Sequence, residues 1–229
     1  MTQQSIIKGD VQQKLGSTGF IVGVLLWLIG SFFITGILAN ASNMQDELKA
    51  IGEQVVSAQT GELILMLNII AVMIGMVGVY RSVTASGAAW ARLGFYLFLV
   101  GSVFWALGYA IDVAVASAMA NWLAAPTASK EAAYSVVAAL TSMSRGMFPM
   151  TVVIYWLSLI PLSIGMVFSA IYPRWLGWSG LILGIAGLSL GIIQTFNGRE
   201  STFNLFIVLF SLTMLWFLAI GIWVARKAW

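Results

Sequence analysis

The chain has 229 residues, of which 60% are hydrophobic and only 8% are charged, and its net charge is +3. A soluble domain needs roughly a quarter of its residues charged, so the composition excludes a soluble fold. It indicates an all-α, polytopic membrane protein, in which the small positive charge reflects loop bias rather than binding to nucleic acid.

Histidine and cysteine are absent from the sequence. Their absence removes the usual ligands for haem, chlorophyll-type pigments, zinc and iron–sulfur clusters, together with cysteine nucleophiles and histidine-based catalytic pairs. We therefore expect no enzymatic activity and no bound cofactor. Contact with a lipid, a quinone or a carotenoid stays open, because four tryptophans lie deep in apolar runs. These are Trp27, Trp105, Trp156 and Trp216.

Six apolar runs predict six transmembrane helices, and no linker separates them into domains. The first run is longer than the core of a signal peptide, so we expect it to be retained. The expected architecture is one transmembrane domain over residues 1–229. Its spans lie at about 17–38, 63–80, 93–119, 147–171, 175–196 and 205–224.

Two connecting segments are predicted to hold short amphipathic helices. Residues 42–62 place Leu48 on an apolar face, and this helix is expected to end near Gly61. Residues 120–146 place Val137 on the apolar face of a second helix. In both segments the apolar side chains recur at helical spacing, which is typical of a helix lying on a bundle or at a membrane surface.

The distribution of charge predicts the orientation in the membrane. Segments on the side of the termini carry seven basic residues and one acid, whereas segments on the opposite side carry four basic residues and six acids. Because basic residues collect on the cytoplasmic side, both termini are expected there, with the two amphipathic helices outside. The polar residues 1–15 predict a short surface helix at the headgroup level.

Glycines recur on one face of the third and of the fifth span. In a membrane, bare backbone lets a neighbouring helix approach closely, and close packing then replaces the missing hydrophobic driving force. The fifth span has the denser pattern, with alternating steps of three and four, so we expect the other helices to pack against it. The predicted helix-packing glycines are Gly101, Gly108, Gly180, Gly184, Gly187 and Gly191.

Asp112 is the only ionisable residue well inside a predicted span. A carboxylate there indicates either a site for a translocated proton or cation, or an ion pair with Arg145 at the same depth. The ion pair is the favoured interpretation, because Asp112 lies near the outer edge of its span rather than in the middle of the membrane.

Three methionines stand on one helical face near the outer surface, at i, i+4 and i+7. They are Met143, Met147 and Met150. Thioethers in this arrangement can bind Cu(I), a soft cation, and methionine also fills gaps in apolar packing. Both interpretations remain open.

Residues 172–191 begin Tyr-Pro-Arg-Trp-Leu-Gly-Trp and continue as a glycine-rich run. This stretch resembles the short loop and fifth helix of an uncharacterised bacterial family of six-helix membrane proteins. The likeness is good over about twenty residues and loose over most of the chain. It implies a six-helix bundle in a bacterial inner membrane, and it transfers no catalytic residues.

These observations favour a non-catalytic integral membrane subunit that packs against partners and stabilises them in a larger membrane complex. Its expected partners are other membrane subunits and the lipid bilayer. One alternative is a small secondary transporter or ion pathway that uses Asp112, although no inverted repeat relates the two halves of the sequence. A further alternative is the handling of Cu(I) by the outer methionine cluster.

Overall fold

A computed structural model describes residues 11–39 and 44–228. All regular elements in these two ranges are helical, with no strand. The α-helices are α1 Val11–Leu38, α2 Met44–Glu53, α3 Val55–Ser82, α4 Ala88–Ala124, α5 Lys130–Val167, α6 Arg174–Asn197 and α7 Phe203–Ala228. Six of them, all except α2, are long and apolar enough to cross a membrane. The predicted all-α, polytopic membrane fold is therefore confirmed.

Residues 42–62 do not form one helix that ends at Gly61, as the sequence analysis predicted. Helix α2 ends at Glu53 and α3 begins at Val55, so Gly61 is buried inside α3. A Cβ atom on Gly61 would lie 3.0 Å from the Cβ atom of Phe33 in α1. The glycine that was interpreted as a stop signal instead allows the close approach of two helices.

The second predicted amphipathic helix, within residues 120–146, is also wrong. Helix α4 continues to Ala124, and α5 runs without interruption from Lys130 to Val167. The break falls at Pro126, which has no backbone N–H and stands in extended conformation. The prediction failed because the change from mixed to apolar composition near residue 147 was interpreted as a helix boundary. Such a change can mark the membrane surface, and α5 continues across it because one of its faces stays packed.

The ends of the other spans differ less from the expected ones. Residues 1–10 of the predicted surface helix lie outside the described residues, and residues 11–15 are the first turn of α1 rather than part of a separate helix. Helices α6 and α7 begin and end within a few residues of the expected spans at 175–196 and 205–224.

The described chain divides into two compact units. Unit one combines the chain up to Val24 with Ile69–Phe104 and with the chain from Pro149 onward. Unit two consists of Leu25–Asn68 and Trp105–Phe148. The boundaries between the units fall inside four continuous helices, α1, α3, α4 and α5. The single transmembrane domain stays a prediction.

Within unit one, α6 packs against α5 through its glycines. The indole ring of Trp156, a fully buried residue, lies directly against Gly187. A Cβ atom on Gly184 would lie 2.9 Å from Cγ1 of Ile160. Close approach of this kind requires that no side chain stand between the two backbones. The buried glycines of α6 are Gly177, Gly180, Gly184, Gly187 and Gly191.

Aromatic rings fill the core of unit one. The Trp156 ring meets Phe210 of α7 with the ring centroids 5.9 Å apart. Phe217 of α7 stacks on Phe20 of α1 at 5.2 Å and is nearly perpendicular to the ring of Phe98 of α4 at 6.2 Å. Offset and edge-to-face pairs of this kind add to the free energy of apolar burial. Helix α7 is thereby joined to α1, α4 and α5.

Unit one also contains a close crossing of α1 and α3 that the sequence analysis did not predict. A Cβ atom on Gly16 would lie 2.8 Å from the Cα atom of Gly78, and one on Gly19 would lie 2.6 Å from the carbonyl oxygen of Ala71. The signal is weak in either helix alone, because the glycines of α1 and α3 become a pair only when the two helices are aligned.

The two predicted packing glycines of α4 have different surroundings. A Cβ atom on Gly101 would lie 3.1 Å from the Cα atom of Tyr155, which is tight. The same atom on Gly108 would meet only the methyl carbon of Met147, at 3.8 Å, which is ordinary contact. Of these two glycines, only Gly101 needs to lack a side chain for the observed packing.

The charge-based orientation can be tested with single cysteines, because the natural chain has none. Ser129 lies between α4 and α5, Ser86 lies between α3 and α4, and both are exposed. In whole cells, Ser129→Cys should react with a membrane-impermeant thiol reagent and Ser86→Cys should react only after the cells are opened. The reverse pattern would contradict the orientation.

Substitution of Gly187 tests the packing of α5 against α6. We expect Gly187→Ala to lower the free energy of unfolding by about 1–3 kcal/mol, because its Cβ atom would overlap the Trp156 ring. Thermal unfolding in detergent measures the effect. The matched control is Gly36→Ala, since a Cβ atom there has no neighbour within 4 Å and alanine favours a helix. Equal stability of the two variants would contradict the packing argument.

Candidate functional site

Unit two contains the carboxylate that the sequence analysis singled out. Asp112 lies on α4 and is half-buried, and its Oδ1 atom accepts a hydrogen bond of 2.7 Å from the Oγ atom of Ser144 on α5. A hydroxyl that donates to a carboxylate forms a short, charge-assisted bond. Asp112 therefore helps to hold α4 and α5 together.

Arg145, the expected partner of Asp112, has an ion pair with a different acid. Its Nη2 atom lies 3.7 Å from Oε2 of Glu47 on α2, and both side chains are partly exposed. A pair in this setting contributes about 0–1 kcal/mol to stability. The pairing of Asp112 with Arg145 stays a prediction.

The short helix α2 is attached to α4 and α5 by apolar contacts. Leu48 is buried in a cluster with Val115, Met119 and Val137. A Cβ atom on Gly52 would lie 2.9 Å from the Cβ atom of Met119. The apolar face of α2 that the sequence predicted is therefore covered by protein.

Glu62 is a second carboxylate that the sequence analysis placed in a connection. It lies inside α3, within the candidate span Val55–Ser82. One turn before it, Nε2 of Gln59 donates a hydrogen bond of 2.8 Å to Oγ of Ser117 on α4. A groove of about 360 Å³ runs between these two helices. Its lining residues are Gln59, Glu62, Leu63, Met66, Tyr109, Ala110 and Val113.

The three outer methionines have different environments. Met143 and Met150 are exposed, whereas Met147 is half-buried with its methyl group toward Gly108 of α4. Within residues 11–39 and 44–228, histidine, cysteine, aspartate and glutamate form no group of three that could hold a metal ion. Cu(I) binding by the methionines stays a prediction.

The deep tryptophans are largely enclosed by protein. Trp156 and Trp216 are buried in unit one and Trp105 is buried in unit two, whereas Trp27 is half-buried. Contact with a quinone or carotenoid stays a prediction.

Gln194 is a buried polar residue that the sequence analysis did not include among the sites. It is 1% exposed on the glycine-bearing face of α6, and neither polar atom of its amide has a partner in the described part of the chain. The signal was present in the sequence, since Gln194 continues the three-and-four spacing of Gly187 and Gly191. A buried amide without a partner is costly in an apolar environment.

Comparisons of the chain with protein-family models, with curated proteins and with solved structures found no match. The resemblance over residues 172–191 therefore remains an interpretation of the sequence alone.

Removal of the Ser144 hydroxyl tests the contact with Asp112. We expect Ser144→Ala to lower the free energy of unfolding in detergent by about 1–3 kcal/mol, because a partly buried carboxylate loses the hydrogen bond that Ser144 donates. The double variant with Asp112→Asn should lose less than the sum of the two single variants.

Ser135→Ala is the matched control, because this hydroxyl is exposed and donates only to the carbonyl of Glu131 in its own helix. Its stability should remain within about 0.5 kcal/mol of the wild type. Strict additivity of Ser144→Ala and Asp112→Asn would show that the hydrogen bond does not contribute.

Proposed function

We propose that this chain is a non-catalytic integral membrane subunit that binds a partner polypeptide through the first half of α5. Six helices of the chain are long and apolar enough to span a membrane, which supports an integral membrane protein. The observation that carries the proposal is an exposed face on a part of α5 that extends beyond the length needed to cross a bilayer.

Helix α5 is too long for the hydrocarbon core. Its 38 residues correspond to about 57 Å at 1.5 Å per residue, against a core of about 30 Å. A tilt of about 40°, the upper end of the usual range, still leaves roughly 44 Å. Residues 146–167 carry no charge and are long enough to span, whereas Lys130, Glu131 and Arg145 precede them. The excess length is therefore at the Lys130 end.

The projecting part of α5 has an exposed face of small residues, which we call the α5 face. Its members follow one another at steps of three and four, and all are exposed. They are Ala132, Ser135, Ala139, Ser142 and Gly146. A Cβ atom on Gly146 would have no neighbour within 4 Å. A second helix can approach such a surface closely.

Larger apolar side chains adjoin the α5 face and are also exposed. Tyr134 is 44%, Val136 54% and Met143 56% exposed. Beyond the membrane this surface would face water, and exposed apolar patches typically mark contacts with another protein. A groove of about 430 Å³ between α4 and α5 continues the surface. The groove is lined by Ala114, Ser117, Ala118, Asn121, Ala133, Val136 and Leu140.

The proposed cellular setting is a bacterial inner membrane with both termini in the cytoplasm. Charge counting supports the orientation, and the resemblance over residues 172–191 supports the membrane. In that orientation the α5 face is extracytoplasmic, so the partner would dock there through an extracytoplasmic helix.

An ion pathway is the second candidate function, and one structural observation favours it. Unit two holds two carboxylates in candidate spans, Asp112 in α4 and Glu62 in α3. Intramembrane carboxylates are a common feature of proton and cation pathways. Flux of an ion across liposomes by the purified chain, lost in both Asp112→Asn and Glu62→Gln, would favour this function over the subunit.

The subunit proposal predicts that a partner is retained during purification from native membranes in mild detergent. Ala139→Glu should reduce the amount of copurified partner about tenfold or more, because a charge in a close helix contact loses at least 1.4 kcal/mol. Quantitative mass spectrometry of the purified samples measures the loss.

Ser201→Glu is the control, since it introduces the same charge at an exposed site between α6 and α7 that is not a member of the α5 face. It should leave the amount of partner unchanged. A monodisperse monomer from wild-type membranes, or equal retention by Ala139→Glu, would contradict the proposal.

A further inference from the structure

Unit one has a cationic groove at the junction of α3 and α4, which we call the arginine groove. Its volume is about 400 Å³, and it is lined by Tyr80, Arg81, Val83, Ala88 and Arg92. Both guanidinium-bearing residues are exposed, and neither has a carboxylate partner within the described part of the chain. Residues 63–111 contain no acid at all. The groove is therefore a site of concentrated positive charge.

A hydrogen bond fixes the end of α3 beside this groove. The Oγ atom of Ser82 lies 2.6 Å from the hydroxyl of Tyr172 in the segment between α5 and α6, and it donates its own proton to the carbonyl of Val79. A serine hydroxyl has one proton, so Tyr172 is the donor to Ser82. Burial raises the pKa of Tyr172, and the hydroxyl stays protonated at neutral pH.

Backbone contacts hold the other side of the junction against α5. Gly87 lies directly against the carbonyl of Gly165, and a Cβ atom on Gly165 would lie 2.9 Å from the backbone nitrogen of Ala91. The start of α4 is thus held in place, and with it the second turn, which carries Arg92. A site whose walls are already fixed loses little conformational entropy when a ligand binds.

One wall of the groove is apolar and aromatic. The ring of Tyr80, next to Arg81, stacks on Phe95 of α4 with the centroids 4.9 Å apart. Val83, which also lines the groove, is buried. The groove therefore combines two cationic heads with an apolar wall, and this combination suits an amphipathic anion better than a free inorganic one.

The position along the helices identifies the chemical class of the ligand. Arg81 is the penultimate residue of α3, and Arg92 lies in the first two turns of α4, at the ends of two candidate spans. The ends of membrane-spanning helices typically lie at the level of the lipid headgroups, where arginine side chains can reach them. A guanidinium group presents a planar fork of donors that matches phosphate oxygens.

We propose that Arg81 and Arg92 together bind the phosphate of a phospholipid whose headgroup carries a net negative charge, such as phosphatidylglycerol. A zwitterionic headgroup would bring an ammonium group toward two guanidinium groups, and no carboxylate among the described residues pairs with either of them to receive it. The site is independent of the proposed subunit role, since it needs only the membrane-spanning fold.

Native mass spectrometry of the purified full chain in mild detergent tests the proposal. The wild type should retain phosphatidylglycerol in preference to phosphatidylethanolamine added at the same concentration. The double variant Arg81→Gln with Arg92→Gln should bind phosphatidylglycerol at least about tenfold more weakly, because both forks are lost.

The control is Arg174→Gln with Arg226→Gln, which changes the net charge equally at two exposed residues outside the groove lining. It should bind within about twofold of the wild type. If both double variants lost phosphatidylglycerol binding equally, the lipid would be attracted by overall charge, and the proposed site would be wrong. Equal binding of the two lipids, or complete displacement by millimolar inorganic phosphate, would overturn an anionic lipid as the ligand.

Should the glutamine pair fail to fold, Arg81→Lys with Arg92→Lys answers the same question with the charge kept. Lysine is a point charge without a planar fork, so phosphatidylglycerol should bind more weakly than to the wild type. Undiminished binding to the lysine pair would overturn recognition by the guanidinium groups.

Discussion

The close contact between Trp156 and Gly187 is the constraint on which unit one depends. In a membrane, lipid is as apolar as the helices, so association requires packing that lipid cannot match. A bare glycine on α6 accepts the largest side chain of α5, and the same indole ring reaches Phe210 of α7. Trp216 adds a directional contact, since its Nε1 atom donates to the carbonyl of Leu176 at 2.8 Å. Three consecutive helices are thereby connected through one buried ring.

Unit two is held together differently. Polar side chains join its helices, through Ser144 to Asp112 on α4 and through Arg145 to Glu47 on α2. Apolar contacts add to these bonds, since Leu48 of α2 is buried with Val115, Met119 and Val137. Partly exposed polar contacts are individually weak, so such a region is easily rearranged or completed by a partner. The arginine groove, by contrast, belongs to unit one, whose backbones are closely packed. A groove of fixed shape suits a small ligand such as a lipid headgroup.

Much of the fold could be predicted from composition and periodicity, and the errors have a common physical origin. Gly61 was interpreted as a stop, although a glycine ends a helix or permits a close crossing depending on whether a neighbour such as Phe33 arrives. The candidate site was predictable only in part. Asp112 was found because a charge in an apolar run is conspicuous, whereas Glu62 was missed because the true start of α3 at Val55 was not recognised. The bond from Ser144 depends on the alignment of two helices, which no local pattern contains.

The sequence by itself determined that this protein is helical, that six of its helices can span a membrane and that α6 carries a glycine face. These properties follow from hydropathy and spacing along one helix, and both are local. Only the tertiary structure decided that α5 runs without interruption from Lys130 to Val167, that Gly16 meets Gly78, and that Arg81 and Arg92 line one groove. Such features depend on which faces of distant segments meet. Helix pairing in an apolar medium is decided by shape complementarity between two surfaces, and neither surface specifies its partner alone.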